Sequence, residues 1–242
     1  MQENRKQGHE HDLIIVGSGR SLQGSNFGET IDFFGRVFRF KGYENGIGKH
    51  DEDVGTKCTD LFFNCNQYVL QDVAKKIDEG TLSASIQTFH FGYHRRLKYL
   101  DEFLSIQHLC ETKGHKLSYM PCHDYTIELR NFFPLWELAK WMRASSGLHV
   151  IYHFLRVQSI LGHDNDDDCS KIYIAGFDSL VPNNVKIIKG RLFSHYYEIT
   201  EVEKASKRPL IPYHNLKAES KLLKRWLAEG KIHLLRESAQ AD

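Results

Sequence analysis

Long apolar runs are missing from this 242-residue sequence. No segment approaches the roughly 20 apolar residues that a membrane-spanning helix needs. The stretch from Met1 to His11 is polar and carries neither a signal-peptide core nor an anchor. Neither sign of charge is in excess, because 32 basic and 31 acidic residues leave a formal net charge of +1. We therefore expect no membrane span and no nucleic-acid partner.

Cysteine is also scarce, and its spacing is not that of a disulfide framework. The five cysteines are odd in number and include no close C-x-x-C pair. We predict buried free thiols in a protein of a reducing compartment, the cytoplasm. The residues concerned are Cys58, Cys65, Cys110, Cys122 and Cys169.

A short apolar run, Leu13–Val16, is stopped by Gly17 and Gly19. This pattern predicts a buried parallel strand that feeds a tight turn. The glycines would let the backbone approach a ligand closely, and a following helix N-terminus would offer N–H groups to an anion. Taken alone, the pattern fits a plain turn as well as it fits a ligand site.

Strand and helix patterns alternate along the rest of the chain. This alternation predicts an α/β fold, Rossmann-like, with a mostly parallel sheet and helices on both faces. We expect one domain over residues 12–235, between a disordered N-terminal tail, 1–11, and a C-terminal tail, 236–242. The predicted strands are 13–16, 36–40, 58–63, 85–89, 116–120, 169–177 and 231–235; the predicted helices are 28–34, 67–79, 95–112, 135–143, 144–161 and 216–229; residues 42–53 are predicted as a surface loop.

The stretch after the glycine turn carries a specific order of residues. It reads L-Q-G-S-N-F-G-E-T-I-D over 22–32, then R-V-F-R-F-K over 36–41, then D-V-G-T-K-C-T over 53–59. This order and spacing resemble the large motif of the family 29 glycosyltransferases, the eukaryotic-type sialyltransferases. Agreement over roughly fifty residues is far more specific than a lone glycine turn.

The second half of the chain resembles the other motifs of the same family. Ser145-Ser146-Gly147 before a helix and the strand that ends at Gly176-Phe177 are similar to the small motif. His195-Tyr196-Tyr197-Glu198 is similar to the third motif, and His214 with Glu219 fits the very small motif, H-x4-E. The resemblance implies a GT-A-like sialyltransferase variant of the Rossmann-like fold.

The resemblance also implies an activity and the residues that carry it. Such an enzyme moves a sialic acid from a cytidine-monophosphate (CMP) donor to a glycan or glycolipid hydroxyl, with inversion, and needs no metal or other cofactor. His214 would be the general base, and His195 would bind the departing phosphate. The implied donor-binding residues are Gly17, Ser18, Gly19, Lys41, Ser145, Ser146, Gly147, Tyr196 and Tyr197; Arg39, Asp53, Lys57 and Glu219 would hold the motifs together.

Two positions depart from the donor-binding pattern of that family. Ser18 and Lys41 stand where the family has asparagines, so a hydroxyl and a cation replace two amides. The family's disulfide is also excluded, because the expected partner position of Cys169 is Leu13. Relatives in animals are anchored in the Golgi, so the alternative to a cytoplasmic protein is a Golgi-lumen protein whose anchor was trimmed.

Other functions compete with this interpretation. The spacings His90/His94 and His149/His153 and the acidic run Asp164–Asp168 would suit a metal enzyme, although no third ligand is evident and an acidic run is typical of a solvated loop. Transfer of another CMP-activated sugar, such as the eight-carbon acid Kdo, is the nearest alternative. A non-catalytic nucleotide- or glycan-binding relative is a third, and a loop histidine with no catalytic role is the alternative for His195 and His214.

Overall fold

The architecture was analysed in a computed structural model that describes residues 9–43, 48–64, 67–92, 99–132, 144–161, 170–177, 180, 186–188, 191–193 and 216–235. Within these ranges, seven strands form one sheet in the order β5-β4-β3-β2-β1-β6-β9, and every neighbouring pair is parallel. The strands are β1 Leu13–Val16, β2 Arg36–Phe40, β3 Asp60–Asn64, β4 Thr88–Gly92, β5 Lys116–Met120, β6 Ile172–Ala175 and β9 His233–Leu234. A separate antiparallel hairpin pairs β7 Lys186–Ile188 with β8 Arg191–Phe193.

Helices cover both faces of this sheet. One face packs against α5 Cys122–Arg130, α6 Ser146–Ile160 and α7 Leu216–Ala228. The other packs against α1 Gly28–Phe33, α2 Asp51–Val54, α3 Gln67–Asp78 and α4 Leu100–Lys113. The predicted fold class is therefore confirmed.

Strand β1 shows why the sequence folds in this way. Leu13 and Ile15 enter the core under α6 and α7, whereas Ile14 and Val16 enter the core under α1. A strand buried on both faces needs a continuous apolar run, and the four residues are at most 4% exposed. Full burial of each such side chain contributes about 1.5–3 kcal/mol.

The order of the strands places a switch point at β1. From β1 the chain moves outward in one direction through β2, β3, β4 and β5, and then returns to add β6 on the other side of β1. Neighbouring connections on opposite sides of a parallel sheet leave a crevice at the carboxyl ends of the two strands, where ligands bind in open α/β folds. Here that crevice lies between the ends of β1 and β6.

Most element bounds match the prediction, and the differences have local causes. Strand β4 begins three residues later than predicted, because Ile86 N–H bonds Ser83 in a turn and the Ser85 hydroxyl bonds Cys58. The segment predicted as a surface loop, 42–53, ends in α2. Helix α5 and the β7–β8 hairpin were not predicted, and the predicted helix 135–143 lies outside the described residues.

The described chain begins at His9, ahead of the predicted domain boundary at residue 12. The His9 ring stacks on Phe34 with centroids 4.6 Å apart, and its Nδ1 lies 2.8 Å from an Asp12 carboxylate oxygen. The other oxygen of Asp12 accepts the Lys171 N–H at 2.8 Å, so this segment joins β1 to the start of β6.

Membrane and disulfide features can be stated for the same ranges. No helix that the structure describes is long and apolar enough to cross a membrane. Cys58, Cys110 and Cys122 are buried free thiols, and burial raises the pKa of Cys122 to about 12. Cys65 and Cys169 lie outside the described residues.

Candidate active site

Two glycines bring the ends of β1 and β6 into backbone contact. Gly17 N–H donates to Ala175 at 2.8 Å, and Gly19 N–H donates to the Gly176 carbonyl at 2.9 Å. A Cβ on Gly17 would lie 2.4 Å from the Gly176 oxygen, so no larger residue fits without moving the backbone. Gly176 has a φ of +71°, which a residue with a side chain rarely adopts. The turn after β1 is therefore held against the end of β6 at the switch point.

The N-terminus of α6 lies against the same junction. Gly147, in the first turn, faces the ring of Phe177, and a Cβ on Gly147 would lie 2.5 Å from that ring. The hypothesised donor-binding segments around Gly17 and Gly147 are thus joined through Gly176 and Phe177, although 130 positions separate them in the sequence. The first N–H groups of a helix suit an anion, and this helix has 15 residues.

Ser145 and Glu219 fix that helix end in place. The Ser145 hydroxyl accepts the Leu148 N–H at 3.2 Å, which is the ordinary N-cap interaction. The Ser145 N–H donates to Glu219 at 2.7 Å, and Glu219 is only 5% exposed. Helix α7 is thereby tied to the start of α6 by a charge-assisted bond.

Asn64 extends the site along the carboxyl edge of the sheet. It is the last residue of β3, its side chain is exposed, and its amide donates to the Ser146 hydroxyl at 3.1 Å. This residue was not predicted. Its signal in the sequence is a polar residue directly after the apolar run Leu61–Phe63, much as Lys41 follows Phe40 at the end of β2.

Lys41 lies at the carboxyl end of β2. Its N–H donates to the Phe62 carbonyl at 2.9 Å, and its ammonium lies 2.9 Å from a carboxylate oxygen of Asp72 on α3. Strands β1 and β2 are parallel neighbours, so Lys41, directly after β2, lies at the same carboxyl edge of the sheet as the turn after β1 that contains Ser18. Both departures from the family pattern therefore lie at this edge.

Three buried or partly buried side chains hold the loops next to this edge in place. Arg39, 1% exposed, donates from Nε to Lys57 O at 2.6 Å and from an Nη to Val54 O at 2.5 Å. The Lys57 ammonium donates to Phe34 O. Asp53 accepts the N–H groups of Gly24 at 2.9 Å and of Asn26 at 3.1 Å.

Asp32 also accepts backbone N–H groups, here from the loop that precedes β3. Its carboxylate accepts the N–H of Thr56 at 2.8 Å and that of Lys57 at 2.8 Å. Gly55 has a φ of +67° and packs so closely that a Cβ would lie 2.3 Å from Asp32. The residues of the large motif thus hold the loops after β1 and before β3 against β2.

The histidine spacings that suited a metal have other partners in the structure. His149 Nε2 lies 2.8 Å from the Thr126 hydroxyl, and His153 Nδ1 lies 2.8 Å from the Tyr125 hydroxyl. Burial, with His90 and Arg36 nearby, lowers the pKa of His153 to about 4, which keeps this ring neutral. Within the described ranges, no three His, Cys, Asp or Glu residues are grouped to hold a metal.

Several predicted site residues lie outside the described ranges. These are the two proposed catalytic histidines, both tyrosines of the third motif, and the remaining candidate metal ligands: His195, His214, Tyr196, Tyr197, His94 and Asp164–Asp168. The described part of the site therefore covers the carboxyl edge of the sheet and the motif residues Arg39, Asp53, Lys57 and Glu219.

Comparisons with known proteins agree with this architecture. A family model for glycosyltransferase family 29 (sialyltransferase) matches residues 2–147. A comparison with curated protein sequences found no match. The fold is similar to three solved sialyltransferases, each at 16% identity.

The similarity to these three structures extends over most of the chain. Cst-II from Campylobacter jejuni, in complex with CMP, gives a TM-score of 0.55 over 93% of this chain and 80% of that one. Cst-I, a monofunctional α-2,3-sialyltransferase of the same organism, gives 0.53 over 95% and 76%. A mammalian enzyme in complex with Gal-β-1-3GalNAc-ortho-nitrophenol gives 0.50 over 93% and 69%.

The structural likeness supports the fold, and the family model covers more than half of the 242 residues. The family that the motif order indicated is therefore confirmed. The chain belongs to glycosyltransferase family 29, the sialyltransferase family, and is a glycosyltransferase.

Proposed function

We propose that this protein transfers a sialic acid from a CMP donor to a hydroxyl of a glycan or glycolipid, with inversion and without a metal. The observation that supports this most directly is the contact of Gly17 with Gly176 and of Gly147 with Phe177 at the switch point. Cst-II has been crystallised with CMP and with the substrate analogue CMP-3FNeuAc. We carry this donor type over to the present family member.

The described residues suit the anionic end of such a donor. The glycine turn after β1 admits close backbone approach, and α6 directs its N-terminus to the same edge. Lys41 contributes a cation, and the hydroxyls of Ser18 and Ser146 contribute hydrogen-bonding groups. Asn64 supplies an amide at this edge, where Ser18 and Lys41 have replaced the two asparagines of the family.

The chemistry requires one proton transfer and one leaving group. The acceptor oxygen attacks the anomeric carbon, the bond from that carbon to the phosphate oxygen breaks, and CMP departs with the electron pair. We assign the acceptor proton to His214, since a side chain with a pKa near neutrality suits a general base. We assign the growing phosphate charge to His195, with Tyr196 or Tyr197 as a hydroxyl donor.

The leaving group supports the proposal that no metal is needed. A nucleoside monophosphate has less need of a divalent ion than a diphosphate, because it carries less charge as it departs. The resembled family also works without a metal.

We further propose that residues 12–235 form one glycosyltransferase domain. The sheet takes β1 from residues 13–16 and β9 from residues 233–234, so both ends of this range belong to the same layer. Removal of β1 would leave β2 and β6 without their shared neighbour, and removal of β9 would leave β6 as an edge strand.

A panel of nucleotides in a thermal-shift assay tests the donor. We expect stabilisation by CMP and by CMP-sialic acid, of about 2.7 kcal/mol at a hundred times the dissociation constant. For a chain of this size this corresponds to roughly 5–10 °C. A shift with uridine or guanosine diphosphate and none with CMP would contradict the donor assignment. If CMP stabilises the protein but only CMP-Kdo, and not CMP-sialic acid, is turned over, the transferred sugar is Kdo.

A further inference from the structure

An ion cluster lies beside the carboxyl end of β2. One Asp72 carboxylate oxygen, Oδ2, lies 2.9 Å from the Lys41 ammonium and 3.2 Å from the Lys76 ammonium. Asp72 and Lys76 are one turn apart on α3, whereas Lys41 comes from the neighbouring strand end. One carboxylate between two ammonium groups leaves this cluster with one net positive charge.

The cluster is partly exposed and therefore accessible to an anion. The side chains of Lys41, Asp72 and Lys76 are 28%, 38% and 26% exposed. Slight burial raises the pKa of Asp72, but the bonds from the two lysines outweigh it and hold the pKa below the usual value. The carboxylate is thus charged at neutral pH, and its charge opposes that of any incoming anion.

The position of Lys41 connects the cluster to the switch point. Its backbone is held by the hydrogen bond to Phe62, and it follows β2, the parallel neighbour of β1, so it lies at the same carboxyl edge as the turn that begins at Gly17. An ammonium carries three N–H donors, so it can stay bonded to Asp72 while it presents another donor to an anion. A strand end that carries a cation beside the crevice is a fitting place for a negatively charged group.

We propose that Lys41 determines how strongly the protein distinguishes an anionic donor from a neutral nucleoside, and that Asp72 is the counter-ion which the donor's phosphate partly replaces. This inference rests on the proposed function, since it assumes a CMP donor at this edge. Lys41 is a binding residue in this account. Asp72 acts through Lys41 and is a positioning residue.

The two substitutions have opposite expected effects. Lys41→Met removes the cation and should weaken CMP binding by roughly tenfold to a hundredfold, the range for loss of a charge-assisted bond. Asp72→Asn removes the competing charge but keeps an acceptor for Lys41, so CMP binding should strengthen by about twofold or more. Neither substitution should change the binding of cytidine, which has no phosphate.

The experiment is isothermal titration of CMP and of cytidine into the full chain at low and moderate salt. Lys75→Met and Asp78→Asn are matched controls, since each makes the same charge change elsewhere on α3. The Lys75 side chain is 70% exposed and pairs only loosely with Glu79, at 3.8 Å. Circular dichroism and the thermal midpoint confirm that each variant is folded.

The readout is the ratio of CMP affinity to cytidine affinity. The inference is supported if this ratio falls in Lys41→Met, rises in Asp72→Asn and stays at the parent value in both controls. It is overturned if Lys41→Met leaves the ratio unchanged, or if Asp72→Asn lowers it. A parent protein that binds neither CMP nor cytidine would instead contradict the proposed function, so the two failures are distinguishable.

Discussion

Among single residues, Arg39 shows most clearly how the large motif supports the site. Its guanidinium is buried, donates to the carbonyls of Val54 and Lys57, and lies 3.8 Å from Asp32. Arg39→Ala leaves these acceptors without a donor and should lower the free energy of unfolding by roughly 3–5 kcal/mol. Urea denaturation measures this change.

The exposed Arg130 on α5 provides the control for that prediction. Arg130→Ala should stay within about 0.5 kcal/mol of the parent, because an exposed side chain away from special features contributes little. If both variants unfold at the same urea concentration as the parent, Arg39 does not have the structural role assigned to it.

Substitution of the two proposed catalytic histidines should have different effects on turnover and on CMP affinity. His214→Ala should lower kcat by roughly a hundredfold to ten-thousandfold and leave CMP affinity nearly unchanged. It should also remove the ionisation near neutrality through which kcat rises with pH. His195→Ala should weaken both turnover and CMP binding, the latter by about 1.5–3 kcal/mol.

Steady-state kinetics and CMP titration of these variants test the assignment. His108, an exposed residue of α4, is the matched control, and His108→Ala should transfer sugar at the parent rate. Parent rates in both His214→Ala and His195→Ala would show that the roles implied by the motifs do not apply to this chain.

At the scale of elements, a polar cluster built on the buried side chains of Asp60 and His90 joins three strands. Asp60 on β3 pairs with Arg36 on β2 at 2.7 Å and with His90 on β4 at 2.8 Å. Burial would raise the pKa of Asp60, but the bonds from His90 and Arg36 outweigh it and lower the pKa to about 2. The charged carboxylate therefore ties β2, β3 and β4 together.

This depressed pKa predicts a contribution to stability that depends on pH. Because the folded pKa lies below the unfolded value of roughly 3.9, the contribution is present above about pH 4 and is lost as the pH falls toward 2. Its size is about 2–3 kcal/mol. Asp60→Asn should be less stable at pH 7 than the parent, and the difference should shrink between about pH 4 and 2.

Urea denaturation at a series of pH values checks this prediction. Asp101→Asn serves as the control, because Asp101 is exposed in the first turn of α4. A difference between the parent and Asp60→Asn that stays constant from pH 7 to pH 2 would show that Asp60 is not held in its charged form.

An element could be predicted from the sequence where its own residues carry a clear pattern. The bounds of β1, β2 and β5 were read directly, since each is a short run flanked by turn residues. Helix α5 was missed although Cys122, Tyr125 and Leu129 lie at helical spacing and are buried. The helix has only nine residues and mostly polar residues separate these three positions, so its apolar period is weak in the sequence.

The candidate site was predicted only where one segment carries the whole signal. The motifs around Gly17 and Gly147 were found in the sequence, but their contact through Gly176 and Phe177 depends on the order of the strands. Asn64 and Asp72 were not predicted, because each acquires its role from a partner on another element. A local pattern contains no information about such partners.

At the scale of the whole molecule, one parallel sheet brings the carboxyl ends of its strands to a single edge. The loops after β1 and β6, Lys41 after β2 and Asn64 at the end of β3 all lie at this edge. The hydrogen bond from the Ser145 N–H to Glu219 joins the start of α6 to α7 beside this edge. We therefore propose, as the central claim, that this edge holds a CMP-sugar during transfer.

Direct detection of the transfer product tests that claim. The full chain is incubated with CMP-sialic acid, a panel of glycan acceptors and EDTA, and the products are measured by mass spectrometry beside released CMP. We predict an acceptor that gains one sialic acid for each CMP released, at a rate that EDTA does not change and that His214→Ala largely abolishes. Transfer that stops with EDTA and returns with manganese would contradict the metal-independent mechanism. Absence of transfer from CMP-sialic acid, with transfer from a uridine or guanosine diphosphate sugar to the same acceptors, would contradict the central claim.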